Sequence, residues 1–249
     1  MECKIPVIIA TFVIFSGFGL ATSVAGSQPD SGSSGNGQFH ISATKAYLVG
    51  GEGDTGNSFR YDGSEVWTGP GQATIIVDEV NNVGTVVGTV TTHGHTYKIV
   101  MKEFKGGKPF MNGGIARDLY LHGTTGNGPP VLPKVWTYLA GWGHADVYKD
   151  EQLLHKNVHA HFMLTQGTRD KKTHRVNFAG PKRLMMAKKS GDPAKIKAAM
   201  QEIDEAASRA INTHTMQLHV VAHSEKKNPK HFPPFEWFTH FMWDEITWH

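Results

Sequence analysis

The sequence predicts a mainly β domain, an antiparallel β-barrel or compact β-sandwich with one inserted helix and a docked aromatic C-terminal segment. Three observations point there. Runs rich in Val, Ile, Thr and Tyr are separated by Gly, Asn and Asp punctuation through the first half of the chain. Apolar and polar residues alternate in the later runs that carry paired histidines. One stretch alone, near 193–211, repeats its apolar residues at helical spacing.

The N-terminus reads as a secretory signal. Lys4 supplies the positive end, residues 5–20 form an apolar run broken by Pro6, Gly17 and Gly19, and Ser23-Val24-Ala25 offers small residues for cleavage. The rival reading, an uncleaved anchor, meets a run shorter than the ~20 apolar residues of a spanning helix. The expected organisation is a signal peptide at 1–25, a flexible Ser/Gly leader at 26–38 and a single β-rich domain at 39–249, secreted or periplasmic, with no membrane span once the signal is removed. No cysteine follows the expected cleavage point, which argues against a lipid-anchored lipoprotein.

Cys3 is the one cysteine and lies inside the signal, so the domain has neither disulfide nor thiolate. A packed core has to carry the fold. Any metal site has to be built from His, Asp, Glu, Met or water, which excludes thiolate zinc fingers, iron–sulfur clusters and blue-copper centres. Net charge is only +3, yet residues 169–197 hold ten Lys/Arg against two Asp. With Phe178 as its sole aromatic, this segment reads as a solvated connection rather than a nucleic-acid surface, and no nucleic-acid partner is expected.

Strands are expected at 39–49, 58–67, 72–80, 85–92 and 95–104, with 115–122 as a further candidate. The Gly/Pro-rich loop 123–133 lacks a phosphate-binding lysine and reads as a turn. Residues 135–143 are strongly apolar, 145–148 and 152–155 form a hairpin about Lys149-Asp150-Glu151, and 157–166 is a strand. Asp192 caps the helix, Pro193 opens it, and Ile196, Ala199, Met200, Ile203, Ala207 and Ala210 share a face up to about Ile211. Residues 213–223 return as a strand. Pro234 favours a short helix in the aromatic tail, with strand alternation as the other reading.

The histidines carry the functional signal. His159 and His161 are spaced two apart, His219 and His223 four apart, and His93 and His95 two apart around Gly94. On a strand, positions i, i+2 and i+4 share one face, so each pair projects its imidazoles in one direction. Neutral imidazole suits copper and zinc, and two such strands side by side bring four rings toward one ion. Pairing of the strands bearing His159/His161 and His219/His223 is the first expectation, with His93/His95 as the alternative, weakened because Gly94 marks a turn. In a helical tail, Glu236, His240 and Asp244 lie one turn apart and form a possible second site.

An enzyme needs an acid, base or nucleophile in a pocket. Glu103, Arg117, Asp118, Arg169 and Asp170 are available, but none sits in a hydrolase elbow, a zinc-protease helix or a dinucleotide fingerprint. The functional expectation is therefore an exported β-domain that binds a divalent transition metal through histidines, as carrier or as metal-dependent enzyme. The other expectation is a barrel of about eight strands carrying a small apolar ligand, lined by Trp136, Tyr138, Trp142 and the C-terminal aromatics.

Overall fold

The computed structural model describes residues 37–52, 63–105, 114–128, 132–176, 186–187, 190–228 and 235–249. The expected signal and nearly all of the expected leader lie outside the described residues, as does the first half, 58–62, of the strand expected at 58–67. Of that strand, 63–65 form a turn and 66–67 open the next strand.

The elements in chain order are β1 (Gln38–Val49), β2 (Val66–Asp78), β3 (Val83–Thr92), β4 (His95–Phe104), β5 (Ile115–Leu121), β6 (Val135–Lys149), β7 (Gln152–Gly167), α1 (Pro193–Ala210), β8 (Asn212–His223) and β9 (Phe238–Trp248). The sheet order is β4-β3-β2-β1-β9-β8-β7-β6-β5, and β4 also pairs with β6. That pairing closes eight antiparallel strands into a barrel and leaves β5 as an extra strand. The C-terminal part of β6 pairs with β4, from Phe104↔Gly143 to Tyr97↔Lys149, while its N-terminal part pairs with β5, from Leu121↔Val135 to Ile115↔Gly141. At this fork a β-carbon on Gly143 would overlap the Glu103 carbonyl.

Two tight hairpins sit side by side at one end of the barrel. His93 and Gly94, at φ 50° and 78°, turn between β3 and β4; Asp150 and Glu151, at φ 48° and 64°, turn between β6 and β7. Both have the left-handed backbone that follows the twist of the flanking strands. The Asp150 carboxylate secures its turn by accepting the Thr96 N–H at 2.9 Å and meeting His95 Nδ1 at 2.6 Å.

The tail is a strand, not a helix. Phe241 and Trp243 point into the barrel while His240, Met242 and Asp244 point out, and β9 fills the gap between β1 and β8. Burying two large aromatics on one face outweighs the weak local preference set by Pro234. The helix lies where its cap and periodicity place it. Asp192 Oδ1 accepts the Ala194 N–H at 2.9 Å, and Ala199 and Ile203 pack with Ile196, Met200, Leu132 and Ala187 in a cluster apart from the barrel core.

Phe162, Phe241, Trp243, Ile41, Leu48, Ile75, Ile99 and Leu164 are all 0% exposed in one continuous cluster. Walls of a hollow would show accessible surface, so where these described side chains meet, the middle of the barrel is filled. Of the aromatics considered for such a cavity, Phe241 and Trp243 fill the core, whereas Trp142 lies outside the barrel cluster, beside Leu121, Val135, Ala140 and Met163. Gly88 makes room for Trp243, whose ring a β-carbon there would overlap. Gly88→Val is expected to destabilise the protein by about 1–3 kcal/mol, seen as a lower urea midpoint.

Candidate functional site

With the interior filled, chemistry is left to the outward rows. Alternation puts His159, His161, Met163 and Thr165 of β7, Gln217, His219, Val221 and His223 of β8, and His240, Met242 and Asp244 of β9 on the outer face. β7 and β8 pair directly, as the histidine spacing led us to expect, with His159 opposite His223 and Met163 opposite His219.

Much of this wall is nevertheless buried, because the chain leaving β7 folds back over it. This strap, 167–176, is held by Gln217, whose Oε1 accepts the N–H groups of Thr168 at 2.7 Å and Arg169 at 3.0 Å. The Gln217 amide nitrogen donates to Asp244 Oδ1 at 2.8 Å, and the Tyr47 hydroxyl donates to the same oxygen at 3.0 Å. Burial, and then the Asp244 charge, push the Tyr47 phenol well above its ordinary range. Arg169 donates to the His174 carbonyl at 3.1 Å, and the His174 ring lies on the Tyr47 ring with centroids 4.2 Å apart.

Beside the strap lie four imidazoles: His161 from β7, His219 from β8, His240 from β9 and His122 from the turn after β5. His219 Nδ1 and His240 Nε2 are 3.1 Å apart, and His219 Nε2 is 3.3 Å from Thr165 Oγ1. The Thr165 hydroxyl donates to the Gln166 carbonyl at 2.7 Å, which makes it an acceptor toward His219. His219 then carries its proton on Nε2, and its Nδ1 lone pair receives the N–H of His240. This tautomer pattern follows from the network. His122 sits at φ 63°, its Nδ1 against Gly128 and buried without a hydrogen-bond partner.

Burial holds all four rings neutral at pH 7. It lowers His122 to about 4. It lowers His161 to about 3, with contributions from His223 and His122. His219 and His240 fall well below the ordinary histidine range, again chiefly through burial, with Arg169 and the neighbouring rings adding to it. Four deprotonated imidazoles in one region are the protonation state a metal requires. Among the described residues, no three His, Asp or Glu side chains are already arranged around one ion.

The other expected ligands fall elsewhere. His159 and His223 form a more open strip with His144 of β6, their ring centroids 4.9 Å (His144–His159) and 5.8 Å (His159–His223) apart. His93 and His95 are separated by their turn: His93 stacks on Trp67 at 4.2 Å, and His95 pairs with Asp150. Glu236, expected in line with His240 and Asp244 at successive helical turns, precedes β9 and pairs with Lys226 at 2.5 Å. His240 and Asp244 do share a face, at strand positions i and i+4, but His240 turns to His219 and Asp244 to Gln217 and Tyr47. His122 and His144 were invisible as site residues, since nothing local in sequence marks either. Arg169, considered as a catalytic candidate, is a buried strap residue.

Comparison with protein-family models, curated proteins and solved structures finds no match to this chain.

Two outcomes follow. In metal-free protein, unfolded histidine takes up a proton near its ordinary 6.5, whereas folded His122 does so only near 4. Stability is therefore complete above about pH 6.5 and falls as pH drops toward 4, by on the order of 3 kcal/mol from His122 alone. His122→Asn, which tolerates the left-handed backbone, should flatten that slope in urea titrations across this range. Gln217→Leu strips the strap's N–H groups of their acceptor and should destabilise by about 2–4 kcal/mol, with hydrogen exchange at 168–176 rising first.

Proposed function

We propose that this chain is an exported β-barrel protein that binds a divalent transition metal, Cu²⁺ or Zn²⁺, on its outer wall through His122, His161, His219 and His240. The observation that carries the reading is the facing pair His219 Nδ1 and His240 Nε2, both neutral, at 3.1 Å. Two imidazole nitrogens bound to one ion at ~2.0–2.1 Å lie roughly 2.9–3.4 Å apart for angles between octahedral and tetrahedral. Their ring centroids then lie roughly 4.5–5.2 Å apart, close to the 5.3 Å between these two rings.

His219 already offers a lone pair on Nδ1. His240 becomes a ligand by moving its proton from Nε2 to Nδ1, a change of tautomer without change of charge. Rotation of His161 and His122 toward the pair completes four nitrogen ligands, and the buried, unpartnered Nδ1 of His122 gains a partner by doing so. A closed sphere of four imidazoles leaves no position for substrate water, which favours a binding or carrier role over hydrolysis. The Arg169 charge opposes a dication here; the Asp244 carboxylate, joined to the same strap through Gln217, offsets it. The N-terminal signal pattern and the absence of cysteine after Cys3 support export, where imidazole sites operate without competing thiols.

Elemental analysis of untagged protein recovered from the exported fraction should find close to one equivalent of buried metal. After chelation, calorimetric titration with Cu²⁺ or Zn²⁺ should restore it, and His219→Ala/His240→Ala should weaken that step at least 100-fold. X-ray absorption should show imidazole scattering around the ion. Affinity unchanged in the double variant, or a coordination shell without imidazole, rules the centre out.

A further inference from the structure

We infer a second, partly exposed metal-capture site on the same wall, formed by His144, His159, His223 and Glu225, that takes up Cu²⁺ or Zn²⁺ directly from solution through the exposed His159 and Glu225. It rests on residues separate from the buried centre.

One rung of the sheet runs Glu103, His144, His159, His223 across β4, β6, β7 and β8: each residue is the register partner of the next. In-register neighbours on adjacent strands share a face, so three imidazoles stand in a row on the outside of the barrel. The 4.9 Å between the His144 and His159 rings falls within the roughly 4.5–5.2 Å that two imidazoles on one ion span. His159 and His223, at 5.8 Å, need to close by only a fraction of an ångström.

Two further features suit a cation. His223 Nδ1 donates to the Ser224 carbonyl at 2.9 Å, which fixes its tautomer and leaves Nε2 as the lone-pair nitrogen. A ligating histidine is commonly held this way, its other nitrogen donating to a carbonyl or carboxylate. Glu225, the residue after Ser224, places Oε1 3.3 Å from His159 Nε2, the spacing of two atoms bound to a single ion. Glu103 reaches His144 Nδ1 at 3.6 Å but is held by Lys105 at 2.8 Å, so it supplies charge rather than a ligand.

Accessibility separates this site from the buried one. The side chains of His159 and Glu225 are 48% and 79% exposed, so they can turn onto an ion without disturbing the core. Phe235 stacks on His223 at 3.8 Å and gives the site one apolar wall. A partly hydrated ion held by His159, one of the two imidazoles flanking it and the Glu225 carboxylate exchanges quickly, as capture requires.

The test uses chelator-washed full-length mature protein and Cu²⁺ or Zn²⁺ alone. The expected result is two classes of ion, one removed by EDTA within the mixing time and one retained. His159→Ala should abolish the fast class and Glu225→Gln should weaken it about tenfold, with circular dichroism unchanged. His219→Ala/His240→Ala should leave the fast class intact. A fast class insensitive to both His159→Ala and Glu225→Gln, or a single ion lost only in the His219/His240 variant, overturns the proposal. A single ion lost only in His159→Ala upholds the exposed site and removes the buried one.

Discussion

The Gln217 carboxamide is the contact on which the outer wall depends. Its oxygen holds the first two N–H groups of the strap, and its nitrogen reaches the buried Asp244 carboxylate. A single neutral side chain thus ties β8 to β9 and to the segment that leaves β7. Without that tie, Asp244 would lose a buried donor and two backbone N–H groups would lose their acceptor, a loss of several kcal/mol at one position. The strap it holds brings Arg169 close to His219 and His240, whose low proton affinity comes chiefly from burial and then from that charge and the neighbouring rings.

The wall is unusual in where it puts polarity. In a closed barrel with a filled core, outward side chains usually meet water. Here the interior is taken up by Trp243, Phe241, Phe162 and their aliphatic neighbours, and a second buried layer, largely polar, is built on the outside. That layer holds Tyr47, Gln217, His219, His240, Asp244 and Arg169. Such groups are expensive to bury unless each finds a partner. His122 Nδ1, buried beside this layer without a hydrogen-bond partner, is where a bound cation would repay the desolvation most.

The histidine spacing was legible because of the period of a strand. His159/His161 and His219/His223 project from one face of two paired strands; the shared face was readable from alternation, and the pairing was the first of two expectations, the other being His93/His95. That this face is the outer one was not readable, since alternation alone does not say which side is core. His93/His95 was readable as doubtful, and its glycine does turn the chain. The aromatic tail was ambiguous locally: Pro234 pointed to a helix, and only the gap between β1 and β8 made it a strand.

What the chain determined by itself is its class: β-rich, thiol-free after Cys3, with one capped helix at 193–210 and imidazoles set at strand period. Those features are local, set by backbone preference and side-chain alternation over a few residues. Tertiary structure alone decided that β4 meets β6 and closes the barrel, that His122 and His240 join His161 and His219, and that His144 stands in register with His159 and His223. These are contacts between residues on different strands or turns, from 15 to about a hundred positions apart. They depend on register and closure, which emerge only when the strands compete to fill one core.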